Sequence, residues 1–239
     1  VFAFRHRRAI VTGAASGIGR AAARLLREAG VAVVGLDIAD GADDDVPLLR
    51  ADLADEGQVV DAVSRAAAAL GGVDLLVNSA GIQIEAPLGQ VLARDIDRMY
   101  AVNVRGLILT TREALRHVPA GRTDAFRIIN VASELAYLGR AGASVYCGTK
   151  AAVLGLTRAW ARELAPAGHV NAVAPGPIDT PLLGFAAMSA AQQAVERDNP
   201  LGRIGTPDEV ARVIAFLASS GADYVTGQCY GADGGAAMH

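Results

Sequence analysis

Short apolar runs alternate with amphipathic stretches from one end of the chain to the other. Seven runs have the length and composition of buried strands: "RAIVTG", "VAVVGLD", "LLRADL", "VDLLVNSAG", "FRIINVAS", "HVNAVAPG" and "GQCYGADGG". Most are continuously apolar rather than alternating, the pattern of parallel strands covered on both faces. Between them, apolar residues recur at helical spacing. "GIGRAAARLLREAG" stops at Gly30, and "DEGQVVDAVSRAAAALGG" opens on acidic residues and closes on a glycine pair. Residues 95–117 and 144–164 predict two long helices, and "TPDEVARVIAFLASSG" opens on a Thr-Pro-Asp-Glu helix start. This alternation predicts an α/β fold, a single doubly wound parallel sheet with helices on both faces, in one domain over 1–239. The rhythm breaks at 176–200, a long excursion after a strand end that carries Phe185 and Met188. Such an excursion predicts a substrate lid around 177–200.

Composition narrows the function classes. Apolar residues make up 52% of the 239 and charged residues 20%, which suits a well-buried core rather than disorder. The net charge of −3 supplies no basic footprint for nucleic acid or an anionic membrane. Apolar runs such as 31–36 and 128–132 are too short to span a bilayer, and "VFAFRHRRAI" runs into a strand without the look of a signal peptide. Cys147 and Cys229 form no disulfide framework and suit a reducing cytoplasm. His6, His117, His169 and His239 have no metal-ligand spacing.

The chemistry begins at "TGAASGIGR", between the first strand and the first helix. Gly13 permits a tight turn, Gly17 a close approach of backbone to a pyrophosphate, and Gly19 close packing of helix on strand. Glycines also serve ordinary turns. Asp37 ends the second strand, where a carboxylate would grip the adenosine ribose hydroxyls and repel a 2′-phosphate, so the pattern points to NAD. No Arg or Lys follows at 38–45, and Ser16 rather than a basic residue precedes Gly17. Asp52 and Leu53 end the third strand beside the expected adenine, and Asn78, Ala80 and Gly81 of "NSAG" end the fourth, where small residues would let a cofactor pass. Tyr146 and Lys150 lie one helical turn apart, so a phenol and an ammonium share a face.

Together with Asn103 in "YAVNVRG", Ser133 in "NVAS", Tyr146 and Lys150 in "YCGTK", and "PGPIDT", these motifs resemble the short-chain dehydrogenase/reductase family over almost the whole chain. The resemblance implies a Rossmann-type domain and a catalytic set of Asn103, Ser133, Tyr146 and Lys150. Tyr146 resembles the acid/base, Lys150 the lysine that holds the nicotinamide ribose and lowers the tyrosine pKa, and Ser133 the residue that bonds the substrate oxygen. Asn103 resembles the asparagine that bends a helix and orders a relay water. Thr180 and the backbone of Ile178 resemble the clamp on the nicotinamide carboxamide. The implied NAD-binding set is Gly13, Ser16, Gly17, Ile18, Gly19, Asp37, Asp52, Leu53, Asn78, Ala80, Gly81, Tyr146, Lys150, Pro175, Gly176, Ile178 and Thr180. One departure is visible: Ser79 stands where the family usually has a second asparagine. A homotetramer is also implied, with the 144–164 helix and the last strand at its interfaces.

A free phenol titrates near ~10, too high for a base at neutral pH. A neighbouring ammonium and the positive nicotinamide ring of NAD⁺ would stabilise the phenolate. The expectation is an NAD-dependent oxidoreductase that interconverts a secondary alcohol and a ketone. A small sugar, polyol or hydroxy-acid alcohol is the leading substrate class. The alternatives are a 3-oxoacyl-carrier-protein reductase, a steroid-type dehydrogenase and, outside enzymes, an NAD-sensing binding module. Gln83, Ile84, Glu85, Glu134 and Tyr137 line either the pocket or a plain loop. Cys147 reads as packing rather than as a nucleophile.

Overall fold

The computed structural model describes residues 3–39, 46–121 and 126–238. Seven parallel strands form one sheet in the order β3-β2-β1-β4-β5-β6-β7. They are β1 (Arg8–Thr12), β2 (Ala32–Asp37), β3 (Leu48–Arg50), β4 (Leu75–Asn78), β5 (Phe126–Val131), β6 (Gly168–Pro175) and β7 (Cys229–Ala232). The chain winds outward from β1 to β3, returns to pair β4 against β1, and winds outward the other way. That reversal opens a crevice at the C-terminal strand ends between β1 and β4.

Period-two alternation along the strands supplies two cores. Val11, Leu75, Val77 and Ile129 face α1 (Gly17–Glu28) and α8 (Pro207–Ala218), against Leu26, Ile214 and Leu217. Ile10, Leu76 and Ile128 face the opposite side, with Val59 and Val63 of α2 (Glu56–Leu70) and Leu109 of α4 (Leu107–Arg116). α6 (Ser144–Glu163) joins the same face through Ala161. The helix stops work as their residue types require: Gly30 has φ +82° just past α1, and Gly71 closes α2 at φ +72°. At α8, Thr206 and Glu209 form a reciprocal capping box with Pro207 in the first turn.

Three expectations are refined. The strand predicted in "LLRADL" ends at Arg50, because Asp52 Oδ1 accepts the Ala54 amide at 2.9 Å and turns the chain. The helix expected over 95–117 is α3 (Ala93–Tyr100), a π turn (Ala101–Gly106) and α4. Asn103 sits in that π turn, and a Cβ on Gly106 would lie 2.8 Å from the Leu53 carbonyl oxygen, so the widened turn keeps backbone close to the turn that follows β3. The 177–200 excursion is partly regular: a 3-10 turn (Phe185–Ala187) precedes α7 (Ala190–Glu196), capped by Ser189 and Gln192. A further short helix, α5 (Leu135–Leu138), follows β5.

Candidate active site

The C-terminal strand ends open into a cavity of about 720 Å³ that reaches from the glycine-rich turn to Tyr146 and the 177–200 segment. At one end the first turn of α1 points into it. Ser16 caps that helix with no side-chain hydrogen bond, which leaves the first backbone N–H groups facing the cavity. A Cβ on Gly13, whose φ is +69°, would lie 2.9 Å from Ala80 Cα, and one on Gly19 would run into the Gly13 carbonyl oxygen. The turn is therefore as tight as a chain can make it, and it fits a phosphate-bearing group. Thr12 holds the opposite wall, its hydroxyl accepting the Ser79 and Ala80 amides at 3.1 Å each.

Asp37 lines the same end. Its carboxylate accepts the Ala15 amide at 2.9 Å and the Ala39 amide at 3.0 Å, which fixes it between the glycine-rich turn and β2. Asp52 lines the wall beside Leu53 and pairs with Arg98 at 3.1 Å. Arg98 also borders the cavity, and no motif in the sequence marked it. Gly17, Ile18, Ala80, Gly81, Pro175, Gly176, Ile178 and Thr180 line the cavity as well.

Asn78 is placed differently from its motif neighbours Ala80 and Gly81. It lies outside the cavity lining, buried, and its amide nitrogen donates to Thr111 Oγ1 at 3.1 Å and Asn130 Oδ1 at 2.9 Å. Asn130 in turn donates to Thr157 Oγ1 at 2.9 Å. This side chain ties β4 and β5 to the helices behind them.

The catalytic candidates converge at the other end. Asn103 is buried behind the wall: Oδ1 accepts the Ile82 amide at 2.8 Å, while Nδ2 donates to the Ile82 carbonyl at 2.9 Å and to Thr149 Oγ1 at 3.1 Å. It pins the loop after Gly81 to α6. Lys150 is buried and donates to the Val131 carbonyl at 2.8 Å, with Nζ 5.7 Å from the Tyr146 ring centre. Burial pushes its pKa down to about 8. The expected lowering of the Tyr146 pKa is absent in the protein by itself. Burial and the nearby Glu134 carboxylate push the phenol well above its usual value, and the hydrogen bond with Ser133 offsets only part of that. Ser133 Oγ shares a hydrogen bond with Glu134 Oε2 at 2.7 Å and accepts the Leu135 amide at 3.1 Å.

Of the undecided loop residues, Gln83, Glu85 and Glu134 line the cavity, whereas Tyr137 faces Cys229 behind it and Ile84 packs beside Met99, Leu135 and Tyr146. Cys147 packs in that same cluster. Leu138 is exposed, and Phe185 stacks under Arg197 at 4.9 Å instead of entering the cavity. Arg140 and Glu196, unmarked in the sequence, form a two-bond ion pair at 2.9 and 3.0 Å that fastens α7 to the loop before α6. Among the described residues, no cluster of His, Cys, Asp or Glu is placed to hold a metal ion, and no helix is long and apolar enough to cross a membrane.

Comparison with known proteins bears on this geometry. Residues 13–237 match the family model described as enoyl-(acyl carrier protein) reductase. The chain is 45% identical to the cis-4-hydroxycyclohexanecarboxylate dehydrogenase of Sinomonas cyclohexanicum, over 98% of this chain and 97% of that protein. It is 38% identical to a 3-oxoacyl-[acyl-carrier-protein] reductase of Thermotoga maritima, over 95% of this chain and 96% of that protein. The structure of Thermoplasma acidophilum aldohexose dehydrogenase superposes with a TM-score of 0.91 at 32% identity, covering 100% of this chain and 97% of that one. Similar solved structures include complexes with NADH and with NADP. The motifs set around one cavity, and full-length similarity to dehydrogenases and reductases, show that this chain belongs to the short-chain dehydrogenase/reductase family, as an oxidoreductase acting on CH–OH groups.

Proposed function

We propose that the protein is an NAD-dependent dehydrogenase of a small secondary alcohol, with Tyr146 as its proton-transferring residue. The observation that carries this is the convergence of Ser133, Tyr146 and Lys150 on one cavity whose other end is the glycine-rich turn. Gly13 to Gly19, Asp37, Ile178 and Thr180 would hold the dinucleotide, and the nicotinamide supplies hydride acceptance or donation when bound. In oxidation Tyr146 takes the hydroxyl proton; in reduction it returns it to the carbonyl oxygen. Ser133 donates a hydrogen bond to that oxygen as negative charge develops on it. Lys150 holds a ribose hydroxyl and, when charged, favours the phenolate. Asn103 keeps the Gly81 loop and α6 in register and so acts through its neighbours.

Asp37 supports NAD over NADP, because an ionised carboxylate beside a ribose opposes a 2′-phosphate. Arg50, the register partner of Asp37 on β3, does not line the cavity; its Nε donates to the Ile38 carbonyl at 3.2 Å. Residues 40–45, where the sequence has no Arg or Lys, lie outside the described residues.

The 177–200 segment is the lid. Its Leu182, Leu183, Met188 and Gln192 line the cavity together with Gln83 and Glu85, a mix of apolar and hydrogen-bonding groups. That mix supports a compact hydroxylated ring or a hydroxy acid, in keeping with the cyclic hydroxy acid that the Sinomonas relative is named for. A 3-oxoacyl thioester is the second reading, supported by the Thermotoga relative. Cytoplasmic residence and a homotetramer built on α6 and β7 complete the proposal; light scattering on the purified protein tests the assembly.

A panel of cyclic hydroxy acids, polyols and 3-hydroxyacyl thioesters with NAD⁺ and NADP⁺ decides among these readings by the appearance of reduced cofactor. The expected outcome is higher kcat/KM with NAD⁺, a preference that Asp37→Ala narrows. Tyr146→Phe should lower kcat by on the order of 10²–10⁴-fold; full turnover in that variant would sink the assignment.

A further inference from the structure

The Ser133 hydroxyl has more claimants than hydrogens. It accepts the Leu135 amide at 3.1 Å, lies 2.7 Å from Glu134 Oε2, and bonds with Tyr146. A hydroxyl has one hydrogen and two lone pairs, and an ionised carboxylate can only accept. If Glu134 is ionised, the single hydrogen of Ser133 must point at it, and nothing remains to donate to a substrate oxygen. If Glu134 is protonated, its own hydrogen fills the short gap, and the hydrogen of Ser133 is free to turn into the cavity. We propose that Glu134 is a positioning residue: its protonated form aims the Ser133 hydroxyl at the substrate oxygen, and its ionised form withholds it. The proposal rests on the reading of Ser133 and Tyr146 given above.

The surroundings favour the working form. Glu134 is 5% exposed, and its amide is fixed by the Pro175 carbonyl at 3.0 Å. Burial raises its pKa more than its hydrogen bonds and Arg140 lower it. The ionisable groups around it are Tyr146 of α6, with Lys150 one turn beyond, and Arg140 of the preceding loop. Arg140 is already engaged by two bonds to Glu196 of α7 and sits in the field of Glu85 as well. Glu134 therefore has one shared cation and a neighbouring phenol that gains nothing from a second negative charge. The exchange itself moves one proton between Glu134 and solvent through the cavity, with no electron transfer.

The consequence is an additional pH limb in carbonyl reduction. With cyclohexanone and NADH, the substrate does not titrate, so the profile belongs to the protein. Wild-type kcat should fall by on the order of 100-fold, the worth of one donor to a developing oxyanion, as pH rises through the ionisation of Glu134. KM should move little. Glu134→Gln, and Glu134→Ala should the first fold poorly, lack this limb. A limb that persists in Glu134→Gln, or a wild type without one, overturns the proposal. Neutron diffraction at an acidic and an alkaline pH tests it without turnover: the Ser133 deuterium should face the cavity in the first and Glu134 in the second, and one orientation at both overturns it. Tyr146→Phe separates the two levels. Full turnover there removes the underlying reading, whereas loss of turnover with an intact limb in Glu134→Gln removes only the role of Glu134.

Discussion

Gly19 shows how little freedom a single position in the site has. Its place against the Gly13 carbonyl leaves no room for one methyl group. Gly19→Ala should therefore force backbone apart at the point where α1 meets β1, at about 1–3 kcal/mol by urea unfolding, the usual cost of overpacking. Because the same turn faces the cavity, isothermal titration should show NAD⁺ binding weakened in step. Loss of stability with unchanged affinity would mean that the turn is structural only. Two asparagines make the complementary point. The Asn78 amide nitrogen donates to Thr111 and Asn130, whereas Asn103 spends both of its polar atoms on the loop that follows Gly81. Residue type alone does not separate them, since each is a buried amide and only its neighbours differ.

α7 is an element whose position depends on one ion pair. Seven residues is too short for a helix to persist unaided in water. Its Ser189–Gln192 capping box secures the first turn, and Glu196, 6% exposed, secures the last through Arg140. Both partners sit at the cavity, so the pair ties α7 to the loop that follows α5. Glu196→Gln should raise KM several-fold with a smaller change in kcat. A double-mutant cycle with Arg140→Gln should give a coupling of about 1 kcal/mol or more. Additive effects would show that α7 is held by its apolar contacts instead. The π turn between α3 and α4 is the other element that serves the site, because it carries Asn103 to the Ile82 backbone.

The whole molecule bears the cost of its buried ammonium. Lys150 has a folded pKa of about 8 against an ordinary 10.5, so the fold disfavours its charged form. Above 10.5 the lysine is neutral in both states and the penalty is absent; it grows as pH falls and is complete below about 8. Cofactor-free protein should therefore lose stability relative to Lys150→Met as pH falls across that window, by up to roughly 3 kcal/mol in urea unfolding. A stability difference that is flat with pH would place the lysine in water in the free protein.

Much of this architecture was legible in the chain. Strand and helix order follow from local periodicity, and the helix ends follow from Gly30, Gly71 and the Thr206–Glu209 box, because each depends on residues within a few positions of one another. The glycine-rich turn and the Tyr146–Lys150 spacing were visible for the same reason. The Ser189–Gln192 cap of α7 is equally local, although it lies inside a stretch with no regular hydrophobic period. What only the tertiary structure decided are the pairings across sequence distance: Arg140 with Glu196, Arg98 with Asp52, and Asn78 with Asn130. The protonation tendencies of Tyr146, Lys150 and Glu134 belong to the same class. They are set by desolvation and by charges brought together in the fold, and no spacing along the chain encodes how much water a side chain loses.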